Sequence, residues 1–403
     1  MIRKVRVANY KSITDLTLDL ARVTVLIGAN GSGKSNILEA IALASAAAQN
    51  KLDNEFLISR GIRVTETRFM RSAFREPPQR RDAIQLAFQK DNEPIIKTVP
   101  TSGESILISV RGDNEVAFAC QLFADERASY PKWNQLPNWQ QRASVSAGQL
   151  IAALETLDFP PETQITPEII KRAFSQIVEL PLGTLPEFLV FSPEFSALRT
   201  FQAEGQILPL GIRGEGLFAH LKALESENNR QYLLKIKESL TLIDWFESFE
   251  TPEDLSLGER SIRIRDRYLP EGIVFDQRSA NEGFLFLLFY ITLSISPDAP
   301  AFFSIDNIDS SLNPKLCIAL IQQIAALAKE YDKQVILTTH NPAVLDGLDL
   351  RDEEQRLLVV ERNKAGHTRV RRVDPPKAGA DEVPVSLSEA FMRGYIGGLP
   401  KNF

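Results

Sequence analysis

An α/β fold built around a parallel sheet is what this sequence predicts, and three observations carry the prediction. The run Val23 to Ile27 is continuously apolar and ends on Gly28, as a central strand buried on both faces should. The last third alternates between helix-like and strand-like segments: a helix over Glu282 to Ser294, a strand over Ala301 to Ile305, a helix over Pro314 to Tyr331 and a strand over Gln334 to Thr338. Such alternation marks βαβ units. Short strand signals at Ala83 to Phe88, Ile106 to Val110 and Val116 to Phe123 predict an attached antiparallel layer.

The other elements follow in chain order. Lys4 to Val7 alternates charged and β-branched residues and predicts a strand, and the Ala-, Leu- and Ile-rich stretch from Lys34 to about Ala48 predicts a helix. From Ser129 to Glu179 the chain is polar and mostly helical in pattern, with Trp133 and Trp139, and reads as an inserted helical subdomain. A strand over Phe188 to Phe191 returns to the sheet, helices are expected at Gly216 to Glu225 and Gln231 to Trp245, and a strand at Ser261 to Arg265. Arg356 to Glu361 and Thr368 to Val373 form a hairpin-like pair before a polar linker, Asp374 to Glu382. The expected organisation is an N-terminal lobe (1–128), a helical insertion (129–185), a C-terminal lobe (186–373) and a linker with tail (374–403). No repeat, low-complexity tract or long heptad run is present.

Composition narrows the function classes. At 403 residues, 44% hydrophobic and 24% charged, the chain is an ordinary globular protein with a sizeable core. A net charge of -6 does not indicate DNA binding, though it leaves room for a local basic stripe. Cys120 and Cys317 lie too far apart in sequence for a metal knuckle, and three histidines are few for a histidine metal centre. MIRKVRVANYKSI has no apolar signal core, and the longest apolar run, Phe284 to Leu293, is far short of the roughly 20 residues of a membrane span. The expectation is a cytoplasmic protein without a membrane segment.

GANGSGKS, Gly28 to Ser35, sits between the apolar strand and the helix and matches the phosphate-loop pattern in full. Gly31 and Gly33 let backbone N–H groups close on a phosphate, and Lys34 supplies a point charge to the β- and γ-oxygens. Ser35 offers a hydroxyl to Mg²⁺, and the helix aims its positive end at the phosphates. The expected cofactors are ATP and Mg²⁺.

FFSIDNID, Phe302 to Asp309, is an apolar strand ending in Asp306, placed to hold Mg²⁺ next to Ser35. ATPases of this type generally carry a Glu at the next position; here it is Asn307. An amide orients water but does not take its proton, so hydrolysis is expected to be slow, with Asp309 the nearest substitute carboxylate. His340 follows the strand Val335 to Leu337, at the end where open α/β sheets bind ligands, and is read as a sensor of the γ-phosphate. His220 and His367 have no such setting and read as surface or helix-face residues. In RSANEGFLFLLFYITLS, Ser279, Asn281 and the backbone at Gly283 read equally as an anion site or as the polar cap of a buried helix, with Asn281 as N-cap.

The order of these motifs resembles the ABC-type ATPase heads of the SMC and RecF group, most closely the stand-alone bacterial AAA-family ATPases that share a core with OLD-family proteins. NYKSI (Asn9 to Ile13), SNILEAI (Ser35 to Ile41) and TTHNPAVLD (Thr338 to Asp346) carry the likeness, which spans roughly 1–45 and 270–350. It implies a P-loop NTPase of ABC/SMC-head type, in which two subunits sandwich two ATP molecules. SANEG (Ser279 to Gly283) would then cap the partner's γ-phosphate, although Asn281 and Phe284 depart from the usual signature. SSLNP (Ser310 to Pro314) matches the D-loop position, and Lys11, Asn30 and Asn36 fall where relatives contact nucleotide. FSPE (Phe191 to Glu194) resembles the RecF segment that precedes its helical lobe. The resemblance further implies regulation of a separate effector in anti-phage defence; a RecF-like DNA-repair ATPase is the alternative. About sixty residues after His340 are too few for the Toprim nuclease of OLD proteins. The tail LSEAFMRGYIGGLPKNF, Leu387 to Phe403, reads either as packing on the head or as a docking segment for a partner.

Overall fold

The computed structural model describes residues 1–49, 51–64, 70, 72, 74, 84–90, 95–101, 105–111, 186–200, 210–251, 261–375 and 385–399. The expected strand at Val116 to Phe123, the helical insertion and most of the polar linker lie outside the described residues.

Six strands make the central sheet, in the order β13-β12-β3-β11-β10-β7. They are β3 (Val23–Ile27), β7 (Phe188–Phe191), β10 (Phe302–Ile305), β11 (Gln334–Thr339), β12 (Gln355–Arg362) and β13 (Thr368–Val373). All neighbours run parallel except β13, which folds back antiparallel on β12 at the edge. β3 comes from the N-terminal part of the chain and β7, β10 and β11 from the C-terminal part, so both predicted lobes share one sheet.

The sheet is apolar on both faces because each has a cover. Val25, Ile27, Phe191, Phe303 and Leu337 face one core with α6 (Glu282–Ile295) and α7 (Pro314–Glu330). Leu26, Val190, Phe302, Ile336 and Leu358 face the other, with α1 (Lys34–Ala48) and the second sheet. This alternation along continuously apolar strands is the period of two expected of a buried parallel sheet. α6 is sheathed on all sides: every residue from Phe284 to Ile295 is buried. Among the described residues no helix is long and apolar enough to cross a membrane.

The second sheet is antiparallel, ordered β2-β1-β4-β5-β6. Its strands are β1 (Ile2–Tyr10), β2 (Ile13–Asp19), β4 (Gln85–Lys90), β5 (Ile95–Thr101) and β6 (Ser105–Arg111). β1 turns into β2 through Lys11 and Ser12 alone, with Lys11 in the left-handed region at φ 45°. That two-residue turn delivers Ser12 to the edge of the phosphate loop and Lys11 to Glu39 on α1. The strand prediction at Lys4 to Val7 therefore caught only the middle of a hairpin. β8 (Phe246–Glu250) and β9 (Arg263–Asp266) form a separate ribbon.

The tail forms α8 (Leu387–Met392) and packs on the head. The Ser388 N–H donates to Asp346 Oδ1 at 2.8 Å, and Arg371 donates to the Ile396 carbonyl. A Cβ on Gly398 would lie 3.7 Å from Gly28 Cα, so the end of the chain reaches the start of the phosphate loop.

Candidate functional site

The loop from Gly28 to Ser35 joins β3 to α1. Gly31 (φ 72°) and Gly33 (φ 113°) turn its backbone through the left-handed region, which L side chains avoid. A Cβ on Gly28 would stand 2.0 Å from the Val360 carbonyl oxygen, so the loop leaves β3 against β12 only because the residue is glycine. Lys34 is buried, and its Nζ donates to the Gly28 carbonyl at 2.7 Å and the Ala29 carbonyl at 3.2 Å. Burial pushes its pKa down to about 8, against the opposing pull of Asp306 and Asp309. The ammonium is thus folded onto its own loop, where phosphate oxygens would give it stronger partners than two carbonyls.

Ser35 Oγ donates to Asp306 Oδ2 at 3.0 Å. A hydroxyl and a carboxylate converging at the end of β10 are hard oxygen donors of the kind Mg²⁺ takes beside a phosphate, so the residues fit that ion. The hydroxyl of Thr338, on neighbouring β11, donates to Asp306 Oδ1 and accepts the Asn307 N–H at 2.9 Å. Asp306 is therefore held on both oxygens. Asn307 sits at φ 57° with an exposed side chain, a conformation Asn tolerates better than Glu. Asp309 turns back onto β11 and accepts from Thr339 Oγ1 at 2.6 Å. Among the described residues, no group of three or more His, Cys, Asp or Glu could hold a metal by itself.

His340 follows β11 with its Nδ1 3.4 Å from Lys34 Nζ. Burial first and the Lys34 charge second lower its pKa, with Asp309 opposing, which keeps the ring neutral at pH 7. The structure therefore brings Lys34, Ser35, Asp306 and His340 together at the carboxyl ends of β3, β10 and β11. Asn30 and Gly31 stand exposed at the loop's tip. Asn36 Nδ2 donates to Ser12 Oγ at 2.7 Å.

Sequence reasoning missed several of the supporting groups. Lys11 pairs with Glu39, one turn along α1 from Ser35, and Arg63 and Tyr10 converge on the same buried carboxylate. Thr338 and Thr368 were not singled out; Thr368 Oγ1 donates to the Ser32 carbonyl at 2.9 Å and meets Ser12 Oγ at 2.7 Å. Glu39 had one available signal, a lone acid on the apolar face of SNILEAI.

Ser279, Asn281 and Gly283 lie elsewhere, at the exposed start of α6. Asn281 Oδ1 accepts the Phe284 N–H at 2.8 Å and caps the helix. A Cβ on Gly283 would meet the Ser311 carbonyl at 3.1 Å, so this segment packs against Ser310 to Pro314. Among the described residues no hydrogen bond joins it to the phosphate loop of the same chain. Phe191 of FSPE accepts the Asp306 N–H at 2.8 Å, tying that segment to the end of β10. His220 is a helix-face residue but not a surface one: it is buried on α4 (Leu217–Ala223), with Ser296 Oγ 2.8 Å from its Nε2. Preceding α4 in the chain are α2 (Asn54–Ser59) and α3 (Phe195–Leu198), and α5 (Arg230–Ser239) follows it. His367 stacks edge-on with Phe74.

Residues 1–135 match a family described as an AAA ATPase domain, and residues 257–346 match an AAA domain described as a putative AbiEii toxin of a type IV TA system. No curated protein matches. Among solved structures the chain is similar to an Smc head bound to the C-terminal winged-helix domain of ScpA, at 13% identity and TM-score 0.50, covering 93% of this chain and 98% of that one. The SMC head domain from Thermotoga maritima is similar at 14% identity and TM-score 0.47, covering 93% of this chain and 99% of that one. The fold is that of a P-loop NTPase of the SMC-head kind.

Proposed function

We propose that this chain, two segments of which match AAA domain families, binds ATP and Mg²⁺ between two copies of itself and passes that state to a separate effector. One observation carries this reading: Lys34, Ser35, Asp306 and His340 meet at one end of the sheet, while Asn307 stands where a catalytic carboxylate is expected. Lys34 takes the β- and γ-oxygens, with the backbone of Asn30, Gly31 and Gly33 around them and Lys11 and Asn36 flanking. Ser35 and Asp306 hold Mg²⁺, which neutralises phosphate charge. His340 touches the γ-phosphate. Ser279 and Asn281, exposed at the start of α6, together with Gly283, cap the γ-phosphate of the partner subunit.

Hydrolysis is slow in this reading because the Asn307 amide orients water without accepting its proton. The ATP-bound dimer is consequently long-lived, a scaffold more than a motor. Incubation with ATP and Mg²⁺, rapid desalting and light scattering test it. A dimer retaining ATP is expected; mostly ADP, or nucleotide-free monomer, overturns it. We place the effector in bacterial anti-phage defence, supported by the match of residues 257–346 to a toxin–antitoxin AAA domain. Phage plating on cells carrying the wild type or Lys34→Ala tests that role: equal plating on both counts against it.

A further inference from the structure

Asp306 and His340 follow β10 and β11, on one side of β3, and Lys34 Nζ stands 3.4 Å from His340 Nδ1, which marks that side as the terminal-phosphate end of the loop. On the opposite side of β3 stand β12 and β13. The turn between those strands is bound to the loop at several points. Arg362 Nε donates to the Gly31 carbonyl at 2.7 Å, and its Nη1 donates to the Gly366 carbonyl at 3.1 Å. Thr368 Oγ1 donates to the Ser32 carbonyl, and the Thr368 N–H donates to the Ser12 carbonyl at 2.9 Å. Ser12 in turn accepts from Asn36, directly after Ser35.

The turn itself is well braced. Asn363 Oδ1 accepts the Ala365 N–H at 3.0 Å and the His367 N–H at 2.9 Å, and Gly366 takes φ 82°. Phe74 stands against it from the N-terminal part of the chain. Its ring centroid lies 5.2 Å from that of His367 at an interplanar angle of 63°, and a Cβ on Gly366 would meet the Phe74 ring at 3.1 Å. Phe74 is nevertheless 40% exposed. A single exposed Phe is unremarkable on a protein surface. A ring braced by a second ring, against a turn tied to the Gly31 and Ser32 carbonyls of the phosphate loop, has the rigid π-face that a planar base stacks on.

We propose that Phe74 and His367, held by Arg362 and Thr368, form the platform for the nucleobase of the nucleotide whose phosphates occupy Gly28 to Ser35. This rests on the phosphate-loop reading, and the test separates the two. Calorimetry on the full chain measures affinity for ATP and for tripolyphosphate, which has the charge but no base. The wild type binds ATP more tightly. Phe74→Ala and His367→Ala each weaken ATP by about 5- to 50-fold, the range of one lost base stack, and leave tripolyphosphate unchanged, while Phe74→Trp keeps the ATP preference. Unchanged ATP affinity in Phe74→Ala, or equal loss for both ligands, overturns the platform alone. A wild type that binds neither ligand overturns the platform together with its premise.

Discussion

Strand β11 is anchored at its two ends by different kinds of partner. At its entry, Lys333 Nζ donates to the carbonyls of Ser296 (2.8 Å) and Ala299 (2.7 Å), and the Gln334 amide bridges Ile2 and Ala21 through their backbones. At its exit, Thr338, Thr339 and His340 meet Asp306, Asp309 and Lys34 mainly through side chains. Both lysines are buried, and burial pushes both to about 8. Lys333 is surrounded by backbone that moves only if the fold does. Lys34 also donates to two backbone carbonyls, but beside them it has the His340 ring at 3.4 Å and the charges of Asp306 and Asp309. A perturbed lysine alone does not mark a site; one whose neighbours include replaceable charged side chains at the carboxyl ends of parallel strands does.

Exchanging the roles of the two lysines is the strongest way to break this comparison. Lys34→Ala should weaken ATP binding by about 100-fold or more, as loss of a charge-assisted contact to phosphate predicts, and should cost about 1–3 kcal/mol of stability, because the Gly28 and Ala29 carbonyls lose their donor. Lys333→Met should leave ATP affinity unchanged and cost about 2–4 kcal/mol of stability, because it strands buried carbonyls without donors. Calorimetry and chemical denaturation on both variants decide. A destabilised Lys34→Ala with normal ATP binding would sink the distinction.

Asn307→Glu sharpens the exit end. It restores a carboxylate after Asp306, so ATP turnover should rise about tenfold or more, in line with general-base contributions, and ADP should replace ATP in the desalted dimer. Stability should fall by about 1 kcal/mol, since residue 307 sits in the left-handed region and Glu lacks the local tolerance of Asn. Unaltered turnover would mean that the missing carboxylate is not what limits hydrolysis.

What could be read from the sequence was contiguous. The glycine loop, the apolar strand before Asp306 and the strand before His340 each declare themselves within ten residues, and the structure places them together. The supports were not legible, because their partners lie far apart in the chain: Ser12 and Thr368 are 356 residues apart. The turn through Lys11 and Ser12 carried no glycine to announce it, so β2 went unread despite the alternation in ITDLTLD. The SANEG segment posed the opposite difficulty. Its residues fit a helix cap and an anion site equally, and the structure shows the cap: Asn281 accepts the Phe284 N–H at the start of α6.

Thr338 is one such unread support. Thr338→Val keeps the shape but removes the donor to Asp306 and the acceptor for the Asn307 N–H. The Mg²⁺-dependent part of ATP affinity should drop about tenfold, the lower range for losing a group that orients a metal ligand. ATP binding in chelator should hold, and Thr338→Ser should rescue. Equal losses with and without Mg²⁺ would reduce Thr338 to a packing residue.

The last expected effect lies at the entry end and depends on pH. Lys333 loses its proton at about 8 in the folded chain against 10.5 unfolded. Between those values the unfolded state binds more protons, so stability rises with pH across the window by this group's share. Below pH 8 the group is charged in both states and contributes no slope. Subtracting the Lys333→Met denaturation curve from that of the wild type isolates the share, which should grow by about 2–3 kcal/mol from pH 8 to 10.5. ATP affinity should show no matching difference between the two proteins at any pH in that window. A pH-dependent gap in ATP affinity between wild type and Lys333→Met would show that the two ends of β11 are coupled.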